Sequence, residues 1–146
     1  MPRIRSILSL ILVLVTGFLV SCGGPEVAIP TTYSPQKIEQ LQVYVAPISA
    51  AREQMEELAS LISSKNWVDT RTFIHGPLGG LRQSMTGLSR SLLPKDQDQA
   101  RQLAKNLFVH FERIDAAAKE KDFSAAVNQY QEALKDFDAF LKIVPS

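Results

Sequence analysis

The chain has 146 residues, of which 45% are hydrophobic and 21% are charged. Its 16 lysines and arginines are nearly balanced by 15 aspartates and glutamates, which excludes the strongly basic surface of a nucleic-acid-binding domain. A single cysteine excludes an internal disulfide and any metal site built on several cysteines, so the fold must depend on one hydrophobic core.

The N-terminal segment is apolar over residues 7–20 and follows Arg3 and Arg5. This segment has three possible interpretations: a transmembrane helix, a cleaved secretory signal, or a signal that ends in a lipid attachment site. Crossing a bilayer takes about 20 apolar residues, which makes this run too short for the first. Basic residues followed by roughly 7–15 apolar ones are typical of an export signal.

The residues around the cysteine favour lipid attachment. Leu19-Val20-Ser21-Cys22 resembles the bacterial lipobox, in which a large aliphatic residue and a small residue precede a cysteine that is lipidated after cleavage. Anchoring by more than one acyl chain is stable, whereas a single chain binds membranes only marginally. We therefore predict a cleaved lipoprotein signal over residues 1–21 and a lipidated Cys22.

A flexible tether is predicted over residues 22–34, where prolines, glycines and hydroxyl residues give no apolar period. The bundle proper is predicted over residues 35–146. Ser34 followed by Pro35 matches an N-cap with proline in the first helical position. Apolar residues then recur at three-and-four spacing and predict the first helix over residues 35–63.

Three further helices follow in the pattern. Asn66 is the predicted N-cap of the second, and Pro94 is its predicted end. Asp96 and Gln99 resemble a capping box that opens the third. The fourth helix has a predicted apolar face at Phe123, Val127, Tyr130, Leu134, Phe137, Leu141 and Val144.

The predicted fold class is all-α, because no alternating strand pattern appears. Amphipathic helices joined by short turns bury their apolar faces against one another as antiparallel neighbours, which predicts an up-down-up-down four-helix bundle. Pro47 and Pro77 fall inside the first and second helices. Each removes one backbone hydrogen bond, so each is expected to kink its helix or split it.

Signatures of catalysis and of cofactor binding are absent from the sequence, so we expect neither an enzyme nor a cofactor. There is no glycine-rich phosphate loop and no nucleophile elbow. A di-iron site needs Glu-x-x-His, but Thr72 and Leu107 stand three residues before His75 and His110. Both histidines lie beside the predicted core faces, so they are no more than weak candidates for a surface metal.

One helix is unusually basic, because its residues 66–94 carry Arg71, Arg82 and Arg90 against Asp69 alone. At 100° per residue, Arg71, His75 and Arg82 share one side of the helix. This row is either a solvated face or a docking face for an acidic partner. Lys95, in the turn that follows, is a further candidate contact.

Several longer stretches, "IPTTYSP", "QLQVYVAPI", "NWVDTRTFIHGPLG", "LLPKDQDQA" and "YQEALKDFDAF", resemble the PsbQ-like lipoproteins of cyanobacterial photosystem II. The resemblance spans the mature chain and includes the lipobox. It implies a four-helix bundle anchored on the lumenal side of the thylakoid membrane. The implied role is to stabilise photosystem II and its oxygen-evolving centre beside the PsbO subunit and the chlorophyll-binding inner antenna.

The resemblance implies no catalysis and no pigment, although some relatives are suspected of binding divalent metal such as calcium at the surface. An alternative function from another class is a periplasmic or lumenal bundle that handles a ligand or a metal. That alternative requires polar side chains that converge in the core, and the sequence shows almost none.

Overall fold

The structure, a computed structural model, describes residues 30–146. The predicted signal and Cys22 lie outside the described residues. Five helices occur in the described part: α1 Pro35–Ser63, α2 Trp67–His75, α3 Leu81–Ser91, α4 Pro94–Glu120 and α5 Phe123–Ile143. Residues 30–146 contain no strand, and none of their helices is sufficiently long and apolar to cross a membrane.

The helices form a four-membered bundle in which α2 and α3 together occupy one position. α1 packs against α2, α3 and α5, and α4 packs against the same three helices. Neighbours in sequence are therefore neighbours in space, as short connections require. The predicted all-α four-helix bundle is confirmed, with its second helix in two pieces.

The two internal prolines have different outcomes. α1 continues through Pro47, whereas the second predicted helix stops at His75 and resumes at Leu81. Helix-compatible residues flank Pro47, but three glycines surround Pro77 and lower the helix propensity of the whole segment. At Gly79 a Cβ atom would lie 2.8 Å from the His75 carbonyl oxygen, so only glycine fits this turn.

Side-chain caps fix the ends of several helices. Ser34 accepts a 3.2 Å hydrogen bond from the Lys37 amide, with Pro35 in the first turn, as predicted. The Asn66 side chain accepts from the Asp69 amide at 3.4 Å and donates to the Asp69 carboxylate at 2.7 Å. These local motifs define where α1 and α2 begin.

The predicted start of the third long helix at Asp96 is wrong. α3 ends at Ser91, and α4 begins at Pro94, which occupies the first turn. Asp96 lies inside that first turn, so it is not the N-cap of a capping box with Gln99. Proline suits this position because the amide it lacks would have no partner within the helix.

The predicted apolar face of the last helix packs against the core except at Phe123, since Val127, Tyr130, Leu134, Leu141 and Val144 are half-buried against it. Phe123 is 40% exposed, and the residues of α5 that are buried are Ala126, Ala133, Phe137 and Phe140. α5 makes its most extensive contact with α4, where Ala117 and Ala118 are also buried. Phe123 is the first residue of α5, at the end of the bundle, where periodicity along the helix does not ensure burial.

Candidate functional site

The predicted cationic row lies along the seam between α4 and the divided second helix. Arg71 and His75 are one turn apart on α2 and share a partner on α4. The Arg71 Nε atom donates to Asp115 Oδ1 at 3.0 Å, and His75 Nε2 lies 3.0 Å from the same oxygen. The structure therefore brings these two residues together and adds a carboxylate that the sequence analysis missed.

Arg82 continues the row on α3. Its Nη2 atom lies 3.5 Å from Glu112 Oε1, and its guanidinium carbon lies 4.1 Å from the centre of the Phe108 ring. A guanidinium within about 6 Å of an aromatic face is attracted by the ring quadrupole. Arg82 is therefore held over α4 by a long ion pair and a cation–π contact.

The row is a charge-paired seam and not a bare cationic face. Asp115 and Glu112 balance the charges of Arg71 and Arg82, so the row is formally neutral with neutral His75 and carries +1 with protonated His75. The side chains of Arg71, His75 and Arg82 are 44%, 68% and 60% exposed. They remain accessible to a partner, but with much less net charge than the sequence indicated.

Two cavities flank this row. One, of about 700 Å³, lies between α2 and the end of α4 beside Trp67, Val68 and Lys119. The other, of about 290 Å³, lies beside His75, Arg82 and Phe108. Val68 is 75% exposed, so the larger cavity has an apolar edge next to the charged seam.

Lys95 does not belong to the row. It is exposed in the first turn of α4, twenty residues before Asp115. At 1.5 Å per residue the two positions are about 30 Å apart along the helix. A partner that contacts both must therefore extend along most of α4.

His110 is more enclosed than a surface candidate for metal would be, with a side chain only 13% exposed. It lies between α4 and α5, with Nδ1 at 2.9 Å from Gln129 Oε1 and Nε2 at 3.4 Å from Asp136 Oδ2. Within residues 30–146 no group of three His, Cys, Asp or Glu residues is placed to hold a metal ion. His75 likewise has a single carboxylate neighbour, Asp115.

The described core offers nothing polar to a ligand. Its two buried polar residues, Thr70 and Ser89, donate to the carbonyl oxygens of Asn66 and Met85 within their own helices. In residues 30–146 every buried side-chain nitrogen and oxygen has a hydrogen-bond partner. No observation on this part of the chain favours the alternative of a ligand-handling bundle.

Tyr33, near the end of the predicted tether, makes a long-range contact with partners that no local sequence pattern predicts. The Tyr33 hydroxyl donates to Asp96 Oδ2 at 2.7 Å and accepts from the Leu93 amide at 3.0 Å. Burial and the bond to Asp96 raise the pKa of Tyr33 to about 12. A lone aromatic residue in a polar segment is the one sequence feature that indicates such a contact. Its partners cannot be identified from the sequence, because they are 60 or more residues away.

Comparison with known proteins identifies the family. Residues 4–145 match the PsbQ family, described as oxygen evolving enhancer protein 3. The chain is 65% identical to CyanoQ of Synechocystis sp. over 146 residues, which is 99% of this chain and 98% of that protein. The chain therefore belongs to the PsbQ family, whose members are extrinsic photosystem II subunits and not enzymes.

Proposed function

We propose that this chain is a lipid-anchored subunit on the lumenal side of the thylakoid membrane, where it stabilises photosystem II and its oxygen-evolving centre. The observation that carries the proposal is the 65% identity to CyanoQ over nearly the whole of both chains. The family match starts at residue 4 and therefore includes the segment that resembles a lipoprotein signal.

The proposed anchor is Cys22, which would become the first residue of the mature chain. Tyr33 follows eleven residues later and is held by Leu93 and Asp96. An extended chain covers at most about 3.6 Å per residue, so Tyr33 would lie within about 40 Å of Cys22. The tether would thus keep the Tyr33 end of the bundle near the membrane.

The proposed contacts are the exposed side chains of the charged seam, Arg71, His75 and Arg82, together with Lys95. The proposed partners are the PsbO subunit and the chlorophyll-binding inner antenna, as the sequence resemblance implies. An accessory subunit that covers a membrane complex needs no buried ligand site, which agrees with the apolar core of the described residues. Its charged surface would determine which face of the complex it binds.

Expression of the tagged full-length chain in a cyanobacterium lacking its own copy tests the proposal. The solubilised membranes are fractionated, and the proteins that co-purify with the tag are identified. Photosystem II subunits, with PsbO and the inner antenna enriched, are the expected result. Their absence from the purified fraction would contradict the proposed function.

A pair of variants tests the anchor in the same cells. Cys22→Ser removes the acylated sulfur and should leave an uncleaved, unlipidated precursor. Ser21→Ala keeps a small residue before the cysteine and should be processed normally. Mass spectrometry of the N-terminal peptide and partition into detergent distinguish the two, and a lipid-free Cys22 in the wild-type chain would contradict the anchor.

A further inference from the structure

A second basic site lies on the other side of Arg82, between α3 and α4. A cavity of about 300 Å³ is lined by the cationic side chains of Arg82, Arg90, Arg101 and Lys105, above Ala104 and Phe108. We name it the α3–α4 basic groove. The remaining lining residues are hydroxylated, so no carboxylate lines the groove.

Helix periodicity explains why four cations meet here. Arg82 and Arg90 are eight residues apart on α3, and Arg101 and Lys105 are four residues apart on α4. Residues four apart lie on one face of a helix, so each helix contributes one row. The two rows carry the same sign and line the same cavity.

The groove keeps a positive charge after its neighbours are counted. Arg90 and Lys105 form no ion pair within residues 30–146. Arg101 pairs with Asp98, which is 90% exposed, and Arg82 pairs with Glu112, which is 72% exposed. Exposed pairs of this kind are weak and are screened by solvent. Even with both carboxylates included, the groove retains a formal charge of +2.

Four side chains of like charge around one groove give it a positive potential that attracts an anionic partner. The groove also has an apolar floor, because Ala104 and Phe108 are both 7% exposed and contribute to its lining. Guanidinium groups bind carboxylates through paired hydrogen bonds. The site therefore suits an occupant that carries several carboxylates and some apolar surface.

The length of the groove favours a peptide segment over a single small anion. Arg82 and Arg90 are about 12 Å apart along α3 at 1.5 Å per residue. An extended strand advances about 3.3 Å per residue, so roughly four residues of a partner would span this distance. One carboxylate or phosphate would reach only part of the cationic set.

We propose that the α3–α4 basic groove binds an acidic, extended segment of a protein partner within photosystem II. The inference rests on the proposed function and identifies the chemistry of the partner surface. The main electrostatic contact with the partner would then be made by Arg90 and Lys105, which form no ion pair within residues 30–146. Arg71 and His75 would contribute less, because both already face Asp115.

Charge reversal in the groove tests the proposal. The lipidated chain is titrated onto photosystem II membranes from which the subunit has been removed. Arg90→Glu with Lys105→Glu should weaken binding by about tenfold or more at low salt, because two attractive contacts become repulsive. The difference should diminish as salt rises. Thermal melting should be nearly unchanged, because both side chains are exposed.

A matched control changes the same charge elsewhere. Arg113→Glu with Lys135→Glu alters two exposed residues outside the groove and should leave affinity within about threefold of wild type. The charge-preserving pair Arg90→Lys with Lys105→Arg should also retain binding. Equal losses in the groove variant and the Arg113/Lys135 control would overturn the proposal, since they would indicate an effect of overall charge.

The remaining outcomes separate this inference from the proposed function. If wild-type protein binds and the groove variant binds equally well, the groove inference is wrong and the proposed function stands. If wild-type protein does not bind the depleted membranes at any salt, the proposed function itself fails. A loss seen on vesicles containing phosphatidylglycerol but not on photosystem II would indicate a lipid headgroup and would overturn the assignment to a protein partner.

Discussion

Tyr33 and Asp96, which are 63 residues apart in the chain, are joined by a 2.7 Å hydrogen bond from the tyrosine hydroxyl to the carboxylate. The same hydroxyl accepts a hydrogen bond from the amide of Leu93, the residue just before α4. Tyr33, two residues before the start of α1, is thereby fixed to the start of α4. The described chain therefore enters the bundle at a fixed point.

Removal of the Tyr33 hydroxyl should lower the free energy of unfolding. Tyr33→Phe leaves the Leu93 amide and the Asp96 carboxylate without this partner, at a cost of about 1–2 kcal/mol. Urea denaturation measures the change. Tyr44→Phe is the matched control, because the Tyr44 hydroxyl makes no hydrogen bond within residues 30–146. Equal stability of wild type and Tyr33→Phe would show that the contact contributes nothing.

The same residue predicts a loss of stability in alkali. The pKa of Tyr33 is raised to about 12, above the ordinary value of 10.0, so the folded state holds this proton more tightly than the unfolded state. The contribution of the Tyr33 hydroxyl to the free energy of unfolding is therefore complete below pH 10 and disappears between pH 10 and 12. Denaturation across this range should show a steeper decline for wild type than for Tyr33→Phe. Parallel curves would contradict the assignment.

An ion pair between α1 and α5 predicts sensitivity to acid. Arg52 donates to both carboxylate oxygens of Asp138, at 2.6 and 3.2 Å, and this hydrogen bonding lowers the pKa of Asp138. Because the pKa of Asp138 is lower in the folded state, the ion pair stabilises the fold fully at pH values above the unfolded pKa, near 3.9. This stabilisation is lost as the pH falls through the folded pKa. Asp138→Asn should therefore cost about 1 kcal/mol at pH 7 and less at pH 3.

The control for this pair is Asp98→Asn, which removes the partner of Arg101 on the surface of α4. Asp98 is 90% exposed, so this change should alter the free energy of unfolding by less than about 0.5 kcal/mol at either pH. Urea titrations at pH 7 and pH 3 measure the change in the free energy of unfolding for both variants. A cost of Asp138→Asn that grows as pH falls would contradict the prediction.

Pro47 should be replaceable with a gain in stability. α1 is continuous around it and its side chain is exposed, so Pro47→Ala restores a donor to the Val43 carbonyl without loss of core contact. Alanine is favoured over proline by about 3 kcal/mol in a helix interior. Proline also restricts the unfolded chain, so replacing it offsets about 1 kcal/mol of this gain. The melting temperature should rise, whereas Pro35→Ala in the first turn should change it little. A fall for Pro47→Ala would show that the fold requires the proline.

Gly87 should tolerate alanine only when Tyr44 is absent. A Cβ atom at Gly87 would lie 2.5 Å from Cε1 of the Tyr44 ring, so the ring must move from its half-buried position against α3. Overpacking of this kind costs about 1–3 kcal/mol, partly offset by the better helix propensity of alanine. In a Tyr44→Ala background, Gly87→Ala should be stabilising by as much as about 1 kcal/mol. Additive effects in the double-mutant cycle would argue against the contact.

Asp115 offers a test of the charged seam that avoids a clash inside the fold. Reversal of Arg71 would place a carboxylate against Asp115, so it would disturb the bundle as well as binding. Asp115→Asn instead adds one positive charge to the row and should strengthen binding to depleted photosystem II several-fold at low salt. Glu132→Gln makes the same change of charge on α5 and is the control. Equal effects of the two substitutions would show that the seam has no special role.

The amino-acid sequence alone determined the elements, because helices depend on neighbours in the chain. Ser34 and Asn66 cap helices through bonds to residues three positions away, and three-and-four spacing predicts the face that α1 buries. Local chemistry also accounts for the split at Pro77, where glycines lower helix propensity on both sides. The N-terminal lipobox remains a prediction from sequence, since Cys22 lies outside the described residues.

Tertiary structure decided which charges are available. Arg71 looks unpaired in sequence because Asp115 is 44 residues away, and only the register of α2 against α4 brings them within 3.0 Å. Arg90 and Lys105 line one groove for the same reason, since the rotation of each helix is set by how its apolar face packs in the bundle. On α5 the predicted face does pack against the core, but its first residue, Phe123, stays exposed, and the apolar period cannot show where the bundle ends. Long-range register follows from the packing of the whole core, which no local pattern contains.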